Sequence, residues 1–463
     1  MLPVNQQTSE QTSEQTSELT THPASQPISA TQTWRNWSGV VECVPQQVVY
    51  PTSVDQVVEV VQRCNREGRT LRLVGSGHSF TALVHTTDIL MSLDHLAGII
   101  EISQIEQTAT VWAGTKLKAL GELLFNHGLA QENLGDINVQ SVAGAISTGT
   151  HGTGVTLGTL ATQVVRITAV LGNGEVVTCS ADDNADLFHA LQVSLGSIGV
   201  IVQVTLRLIP AYRLVYESSR VTLDDCLSQL EDLKQNNRHI EFYCFPYSRT
   251  VQLKRMNRTD SPVSDHGFKD YFNKVVMENY VFGALSGCCK TAPGLTRTVS
   301  RLSASSVPVG REVNWSHRLF ATPRLVRFNE MEYNIPAEHM AAAIREVLEY
   351  IERERIAVHF PIECRFVRGD DIWLSPAYGR DSAYIAVHMY RGMPYESYFH
   401  GVEAIMKRFG GRPHWGKLHY RAGADIAAQY PKWGAFHAVR QTADANGVLL
   451  NDYLRRLFGE VEA

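Results

Sequence analysis

Two periods of hydrophobic spacing divide this chain. Val54, Val57, Val58 and Val61 recur at helical spacing behind Ser53-x-x-Gln56, the form of a capping box, and Gly68 offers a left-handed stop, so a helix is predicted from Ser53 to about Glu67. The run Thr70 to Val74 predicts a strand that delivers the chain into Gly75-Ser76-Gly77-His78-Ser79-Phe80. The same order recurs at Thr108 to Trp112, a strand leading to a helix capped by Thr115, with Leu117, Leu120 and Leu124 inside and Gly128 at its end. Apolar strands follow at Val164 to Leu171, closed by the hairpin turn Asn173-Gly174, and at Gly199 to Ile209 before Pro210.

Beyond about residue 213 the helices lengthen and strands alternate with them. The pattern predicts a helix over Thr222 to Asn236, strands at His239 to Pro246 and Val251 to Arg255, and a helix begun by Pro336 and running to about Arg355. Strands at 356–367 and 383–391, a helix at about 395–408 and helical sequence after Pro431 complete the chain. Strands and helices are grouped rather than strictly alternating, which favours an α+β fold with antiparallel sheet. The expected organisation is one domain over 34–212, a second over 213–410, and a C-terminal segment, 411–463. Residues 1–33 carry three tandem Gln-Thr-Ser-Glu copies and almost no large apolar side chains, so this tail is expected to be disordered.

Composition narrows the partners. With 463 residues, 44% of them hydrophobic, the chain can bury large cores, and a net charge of −5 gives no footprint for nucleic acid. The eight cysteines are scattered without a CxxC pair, which suits reduced thiols and makes a zinc site unexpected, so no metal is assigned. No eighteen-residue apolar run and no basic-then-apolar leader is present, so a cytoplasmic protein without a transmembrane segment is expected. Peripheral membrane attachment through an apolar patch would leave no trace in such patterns.

Chemistry concentrates in four places. In the first glycine loop, Gly75 and Gly77 let backbone N–H groups approach an anion and Ser76 and Ser79 add hydroxyls. A dinucleotide GxGxxG fits only its first half, because Phe80 stands where the third glycine would be. Alone, the run is equally compatible with a tight turn around one satisfied histidine. A second stretch from Ser141 to Gly154 supplies further donors, and two separated nests suit a long ligand such as FAD. Glu363 and Arg365 are two apart on an expected strand and so share a face; the arginine is expected to lower the glutamate pKa. A surface ion pair is the commoner reading of such a pair, but Phe360, Ile362 and Phe366 point to burial. In Arg412-Pro413-His414-Trp415-Gly416-Lys417-Leu418-His419 the histidine spacing is wrong for a helical metal pair, and a cationic wall against an electron-rich ligand is the expectation; a solvated loop around one buried tryptophan is the plainer reading.

Together these residues resemble one family. The order GSGHSF (75–80), NLGD (133–136), SVAG and THGTG (141–154), GSIGVIVQVTL (196–206), ECR (363–365), DDIWLSP (370–376) and RPHWGK (412–417) is similar to the FAD-dependent aldonolactone oxidoreductases, which include L-gulono-1,4-lactone and D-arabinono-1,4-lactone oxidases within the vanillyl-alcohol oxidase and p-cresol methylhydroxylase type of flavoproteins. The resemblance runs from about Asn36 to the C-terminus. It implies a p-cresol methylhydroxylase-type FAD domain, an antiparallel-sheet cap domain over the substrate, and a C-terminal segment returning to the flavin.

The resemblance also implies roles. His78 corresponds to the histidine that bonds the flavin covalently, and the link would be single, because no cysteine lies between Cys64 and Cys179. Gly75, Ser76, Gly77, Ser79, Gly135, Ser141, Gly144, Thr148, His151, Gly152 and Ile201 would line the cofactor. Glu363 would bind the C2 hydroxyl of a lactone as its proton leaves and hydride passes to FAD, Arg365 would fix the lactone, and Lys417 would face negative charge on the reduced flavin. Ser141 and His388 complete the implied substrate contacts. Glycine at 135 accompanies reaction with oxygen in such enzymes, giving hydrogen peroxide and ascorbate or an analogue, whereas alanine accompanies dehydrogenases. Alditol oxidases carry threonine at the position of His388, and Gly416 departs from the alanine common in animal lactone oxidases, which leaves the exact substrate open. The alternatives are a lactone dehydrogenase with another acceptor, an alditol oxidase, and, least favoured, a flavin-binding protein without turnover; a serine hydrolase is excluded because no GxSxG elbow occurs.

Overall fold

The computed structural model describes residues 33–265, 280–321 and 324–460. The expected tail, 1–33, lies outside these but for its last position.

After a short antiparallel pair, Trp34–Arg35 with Glu42–Cys43, come β1 (Gln47–Val49), α1 (Val54–Glu67), β2 (Leu71–Val74) and β3 (Ile89–Ser92), whose strands form a parallel sheet in the order β1-β3-β2. The Ser53 side chain caps α1 by accepting from Gln56 N–H, and Gly68 ends it at φ +63°. The expected capping box is shifted by one residue, since the Gln56 side chain turns back to Thr52 N–H, 2.8 Å away. A five-stranded antiparallel sheet follows, ordered β7-β6-β8-β5-β4, from β4 (Ile99–Ser103), β5 (Thr108–Trp112), β6 (Val164–Leu171), β7 (Val176–Ser180) and β8 (Gly199–Arg207). Helix α2 (Leu117–Asn126) buries Leu117, Leu120 and Leu124 as expected, but its N-cap is Lys116. Thr115 instead bridges the turn, donating to Trp112 O at 2.6 Å and accepting from Gly98 N–H at 2.9 Å. The short helix α3 (Val142–Ser147) is capped by Ser141.

An eight-stranded sheet dominates the rest. Its strands are β9 (Arg213–Thr222), β10 (His239–Cys244), β11 (Thr250–Arg258), β12 (Gly310–Trp315), β13 (Phe328–Pro336), β14 (Ile362–Val367), β15 (Ser382–Tyr390) and β16 (Arg412–Pro413), in the order β12-β9-β11-β10-β14-β15-β13-β16. Every pairing in it is antiparallel. Alternation along the strands sorts the faces. Phe242, Met331, Tyr333, Ile335, Cys364, Phe366, Ile385 and Val387 pack with α4 (Met340–Arg353) and α5 (Glu396–Arg408), which contribute Ile344, Val347, Ile351, Phe399 and Val402. Each such aliphatic side chain, fully buried, contributes ~1.5–3 kcal/mol. The other face is polar, and the register arranges it in rows. Tyr243, Glu363, Ala386 and Glu332 lie side by side; Glu241, Arg365, Tyr384 and Asn334 form the next row; Glu330 pairs with His388.

Several expectations of the second half are corrected. A strand, Arg213–Thr222, precedes the first element expected there, and the helix expected over 222–236 is two, Leu223–Ser228 and Leu230–Asn236, broken at Gln229. Pro336 ends β13 instead of starting a helix, its ring fixing an extended backbone (φ −51°, ψ 136°) before a single tight turn. The strand expected from 356 starts at Ile362, and the one expected to reach Ile209 stops at Arg207.

Candidate functional site

A long cleft, partly open to solvent, crosses the N-terminal part of the chain. The loop Gly75 to Ser79 lines it together with Ser141, Gly144, Thr148 and Ile201, Gly75 lying directly against Ser141. The first loop is fixed from outside: Trp37 N–H donates to Gly77 O (2.8 Å), Asn36 Nδ2 to Ser79 O (3.0 Å) and the Ser76 hydroxyl to Val139 O. The backbone N–H groups of Ser76, Gly77, His78 and Ser79 donate to no atom among the described residues. A glycine turn with unpaired donors is the nest an anionic linker requires. Those residues fit the pyrophosphate of FAD. At the floor, Arg72 is fully buried and spends its donors on carbonyls of Leu83, Leu195, Gly196 and Leu449.

His78 also lines a second cavity, with Gly135, Asp136, His151, Arg365 and Lys417. Its ring stacks on Trp37 with centroids 5.4 Å apart. Burial and the nearby Lys417 ammonium push its pKa down to about 4, so the imidazole is neutral at physiological pH. Lys417 arrives there because Phe80 N–H donates to Gly416 O (2.7 Å), tying the tryptophan-glycine-lysine loop to the histidine loop.

The polar face of the large sheet forms the far side. Arg365 binds three carboxylates: Glu363 on its own strand, Glu241 on β10 (3.0 Å) and Asp136 from the Asn-Leu-Gly-Asp loop (3.4 Å). Asp136 also holds Arg324, and Glu241 also meets Lys254 at 3.5 Å. The Tyr243 hydroxyl donates to Glu363 Oε1, the oxygen that Arg365 takes, which leaves Oε2 with no partner among the described residues. Glu363 is a buried member of a buried network, and its pKa lies above the usual carboxylate range. Burial is the largest cause, and Asp136 and Glu241 add to it against Arg365. Arg365 does lower it, as expected, but burial together with Asp136 and Glu241 outweighs that, so the net shift at Glu363 is upward.

Lys417 is ion-paired with Glu330 on β13. Burial works to raise the Glu330 pKa, but Lys417 and His388 outweigh it and hold it down to about 2. His388 Nε2 lies 3.5 Å from the other oxygen of Glu330, and His151 Nε2 lies 3.2 Å from Glu332. The expected cationic wall of histidines is corrected. Burial pushes His414 down to about 3 and His419 to about 4, and they diverge, His414 accepting from Gly416 N–H (3.1 Å) and His419 meeting Tyr453 (3.1 Å). Lys417 is the cation that this segment brings to the cavity. Trp415 is buried, donating to Leu374 O at 2.6 Å.

Glu363 and His388 do not line either cavity; they stand just behind Arg365 and Lys417. Gly152 lines neither. A Cβ on it would strike Asn133, and its carbonyl faces His151 Nδ1 (2.9 Å), so it packs rather than binds. Ser141 lines the long cleft alone. Two groups, His151–Glu332–His414 and Glu330–Glu363–His388, bring side-chain donors within 4.8 Å of one another. In the first, the His414 Nδ1 lone pair is already engaged; in the second, Lys417 and Arg365 occupy carboxylate oxygens, so neither offers a free ligand set.

A family model described as D-arabinono-1,4-lactone oxidase matches residues 204–457, more than half of the chain. The chain belongs to that family. A second model, an FAD binding domain, matches residues 45–180, the part that contains the first glycine loop. Among relatives of this aldonolactone oxidoreductase, the L-gulono-1,4-lactone dehydrogenase of Mycobacterium tuberculosis is 41% identical over 434 residues, covering 92% of this chain and 99% of that protein. The L-gulonolactone oxidase of Bos taurus is 33% identical over 432 residues, covering 92% and 98%. A cholesterol oxidase from B. sterolicum superposes with a TM-score of 0.77 at 18% identity, covering 92% of this chain and 96% of that one, which shows the shared fold of FAD domain and antiparallel-sheet cap. No described helix is long and apolar enough to cross a membrane. The eight cysteines are free.

For this lactone oxidase family member, sequence reading missed Arg72, Asp136, Glu241, Tyr243, Glu330 and Glu332. A signal for the last two exists in Phe328-Asn329-Glu330-Met331-Glu332-Tyr333-Asn334-Ile335, an alternating strand that buries Met331, Tyr333 and Ile335 on one side and aims two carboxylates to the other.

Proposed function

We propose that the protein oxidises an aldono-1,4-lactone of the L-gulono or D-arabinono type at the C2 hydroxyl, using FAD linked to His78 and oxygen as the final acceptor. The observation that carries this reading is the position of His78, a neutral imidazole standing between the cleft that fits FAD and the cavity bounded by Arg365 and Lys417. FAD held there supplies the hydride acceptor. The chain supplies the rest. In this reading a lactone seated against Arg365 reaches past it to Glu363. That residue has a raised pKa and an Oε2 without a partner among the described residues, is a stronger base than an ordinary glutamate, and takes the C2 hydroxyl proton. Arg365 orients the lactone, and Lys417 places positive charge where the flavin gains negative charge. His388 acts from behind Lys417 through Glu330, and Tyr243 holds Glu363 in place. In this reading oxygen becomes hydrogen peroxide and the lactone becomes ascorbate or an analogue.

Gly135 supports oxygen as acceptor. It lines the second cavity, and a Cβ there would lie 3.1 Å from the His151 carbonyl oxygen, so glycine keeps that side of the cavity open. The name of the Mycobacterium tuberculosis relative favours the second reading, a dehydrogenase. The test has three parts. Flavin should remain with acid-denatured protein and leave in His78→Ala. L-Gulono-1,4-lactone should reduce it faster than xylitol, and peroxide should form at the rate of lactone loss. Flavin that washes off the wild type sinks the covalent link, and turnover only with an artificial acceptor sinks the oxidase.

A further inference from the structure

The proposed link between His78 and FAD, on which this inference rests, requires an imidazole held at one angle. The χ2 torsion of a histidine is broad, so the plane of its ring is set by a neighbour, most often by a hydrogen bond to one nitrogen. Among the described residues no hydrogen bond does this for the His78 ring. Its ring contact there is the stack on Trp37, with centroids 5.4 Å apart and planes 22° apart.

Trp37 is itself fixed from several sides. Its backbone N–H donates to Gly77 O at 2.8 Å, inside the loop that carries His78. It belongs to the turn between the paired segments Trp34–Arg35 and Glu42–Cys43. Asn36, buried, braces that turn: its Oδ1 accepts from Gly39 N–H (2.8 Å) and Val41 N–H (3.1 Å), while its Nδ2 donates to Ser79 O (3.0 Å). The indole stands edge-on to Phe80 (6.2 Å, 82°) and to Phe328 at the start of β13 (5.1 Å, 73°). Those two phenylalanines are buried and stack on each other at 6.1 Å. The N-terminal turn, the histidine loop and the large sheet therefore meet at one ring, and edge-on partners on two elements keep that ring from turning. Trp37 borders neither cavity, so its side chain reaches the cofactor site through His78.

We propose that Trp37 is the positioning residue for cofactor attachment: seated by Phe80 and by Phe328 of the sheet, its indole sets the plane in which His78 meets FAD. In the attachment an imidazole nitrogen lone pair forms a bond to the 8α-methyl carbon of FAD. A methyl C–H bond breaks and its electron pair enters the isoalloxazine, with the methyl proton and the imidazole N–H proton balancing the two electrons. Oxygen, the acceptor of the proposed reaction, then takes two electrons and two protons as hydrogen peroxide. Trp37 moves no proton; it keeps the lone pair in line, and ~1 Å of misplacement can slow such a step by about 10²-fold.

The test mixes flavin-free protein with FAD, quenches samples in acid at intervals, and counts the flavin that stays with the polypeptide. Trp37→Leu should slow attachment by at least about tenfold, and Trp37→Phe, which restores an aromatic face, should recover most of the rate. FAD affinity, read by fluorescence in a His78→Ala background where no link forms, should change by less than about threefold when Trp37→Leu is added. That split separates positioning of the imidazole from general support of the loop. Phe328→Leu leaves the indole and the loop bonds but removes the ring behind them, and should slow attachment by a smaller factor; it keeps the test decisive where Trp37→Leu does not fold. The role is overturned if Trp37→Leu and Phe328→Leu both attach FAD at the wild-type rate, if Trp37→Phe is as slow as Trp37→Leu, or if attachment and affinity fall together. Wild-type protein that binds FAD and releases all of it in acid overturns the covalent link of the proposed function, whereas retention indifferent to Trp37 overturns this inference alone.

Discussion

The ammonium of Lys417 is bound by a carboxylate oxygen of Glu330, so the cation that a loop brings to the second cavity is held by a residue on β13 of the sheet. Burial would lower the lysine pKa, but Glu330 and Glu332 outweigh it and raise it, which keeps the charge in place. Lys417→Met removes that charge and leaves two buried carboxylates without it. Flavin reduction by lactone should slow by about 10²-fold, the usual effect of deleting one preorganised electrostatic group. Glu330→Gln should slow it less, because the ammonium survives but loses its anchor. Rapid-mixing measurement of anaerobic bleaching decides this, and a Lys417→Met rate within about threefold of wild type would refute the role.

The acid limb of kcat/KM should report Glu363. The group must be ionised to accept a proton, so activity rises as pH climbs through its pKa. The charged groups that shift it are Arg365 on its own strand, Glu241 on β10, Asp136 from the loop after β5 and α2, and Arg324. Glu241→Gln removes a negative neighbour and frees Arg365 for Glu363, so the limb should move to lower pH. Tyr243→Phe removes a hydrogen bond to the ionised form, so the limb should move to higher pH. Opposite displacements in the two variants are the expected result. Movement in the same direction, or none, would mean that another group sets the limb.

What the sequence revealed and what it concealed divide along a physical line. Local chemistry was legible: the Ser53 and Gly68 signals of α1, the glycines around His78, and the two-residue spacing that sets Glu363 and Arg365 on one face each act within a few residues. The sign of the Glu363 shift was not legible, because it depends on Glu241 and Asp136, brought in by strand pairing and by a loop from the other half of the chain. Glu330 and Glu332 escaped notice because two glutamates on an alternating strand look like a solvated edge until register sets them beside His388 and Ala386. The histidines near the C-terminus were read as cations because burial, which neutralises them, is a property of the packed molecule.

Gly135→Ala should separate the two half-reactions. The backbone there does not require glycine, so the added methyl acts sterically: it would press on the His151 carbonyl oxygen at 3.1 Å and approach Thr150 at 3.6 Å, both in the second cavity. Reoxidation of reduced protein by oxygen should fall by about tenfold or more, roughly 1.4 kcal/mol on the barrier, and by a larger factor than reduction by lactone. Stopped-flow mixing of the reduced protein with oxygenated buffer measures it. Unchanged reoxidation would show that oxygen reaches the flavin by a route this position does not border.

Arg72 joins three parts of the chain that are remote in sequence. Its Nε donates to Leu83 O (2.6 Å), Nη1 to Gly196 O (2.8 Å) and to Leu449 O, and Nη2 to Leu195 O (3.1 Å). Burial lowers its pKa to about 10, with Asp444 opposing, so it remains charged at physiological pH beneath the long cleft. Arg72→Met retains the apolar stem but strips the Leu195, Gly196 and Leu449 carbonyls of their donor, while Leu83 O keeps Asn451 Nδ2 at 3.3 Å. At ~1–3 kcal/mol for each buried group left unsatisfied, and allowing for relaxation, a loss of about 3 kcal/mol or more is expected. Arg72→Lys, with a compact charge and three donors in place of the planar fork, should recover only part of it. Denaturant unfolding of the flavin-free protein measures the loss directly, and FAD titration should show weaker retention in the same order, since the Leu195–Gly196 turn borders the cleft. A methionine variant that unfolds within about 1 kcal/mol of wild type would mean that water replaces the guanidinium and that Arg72 is not what joins these segments.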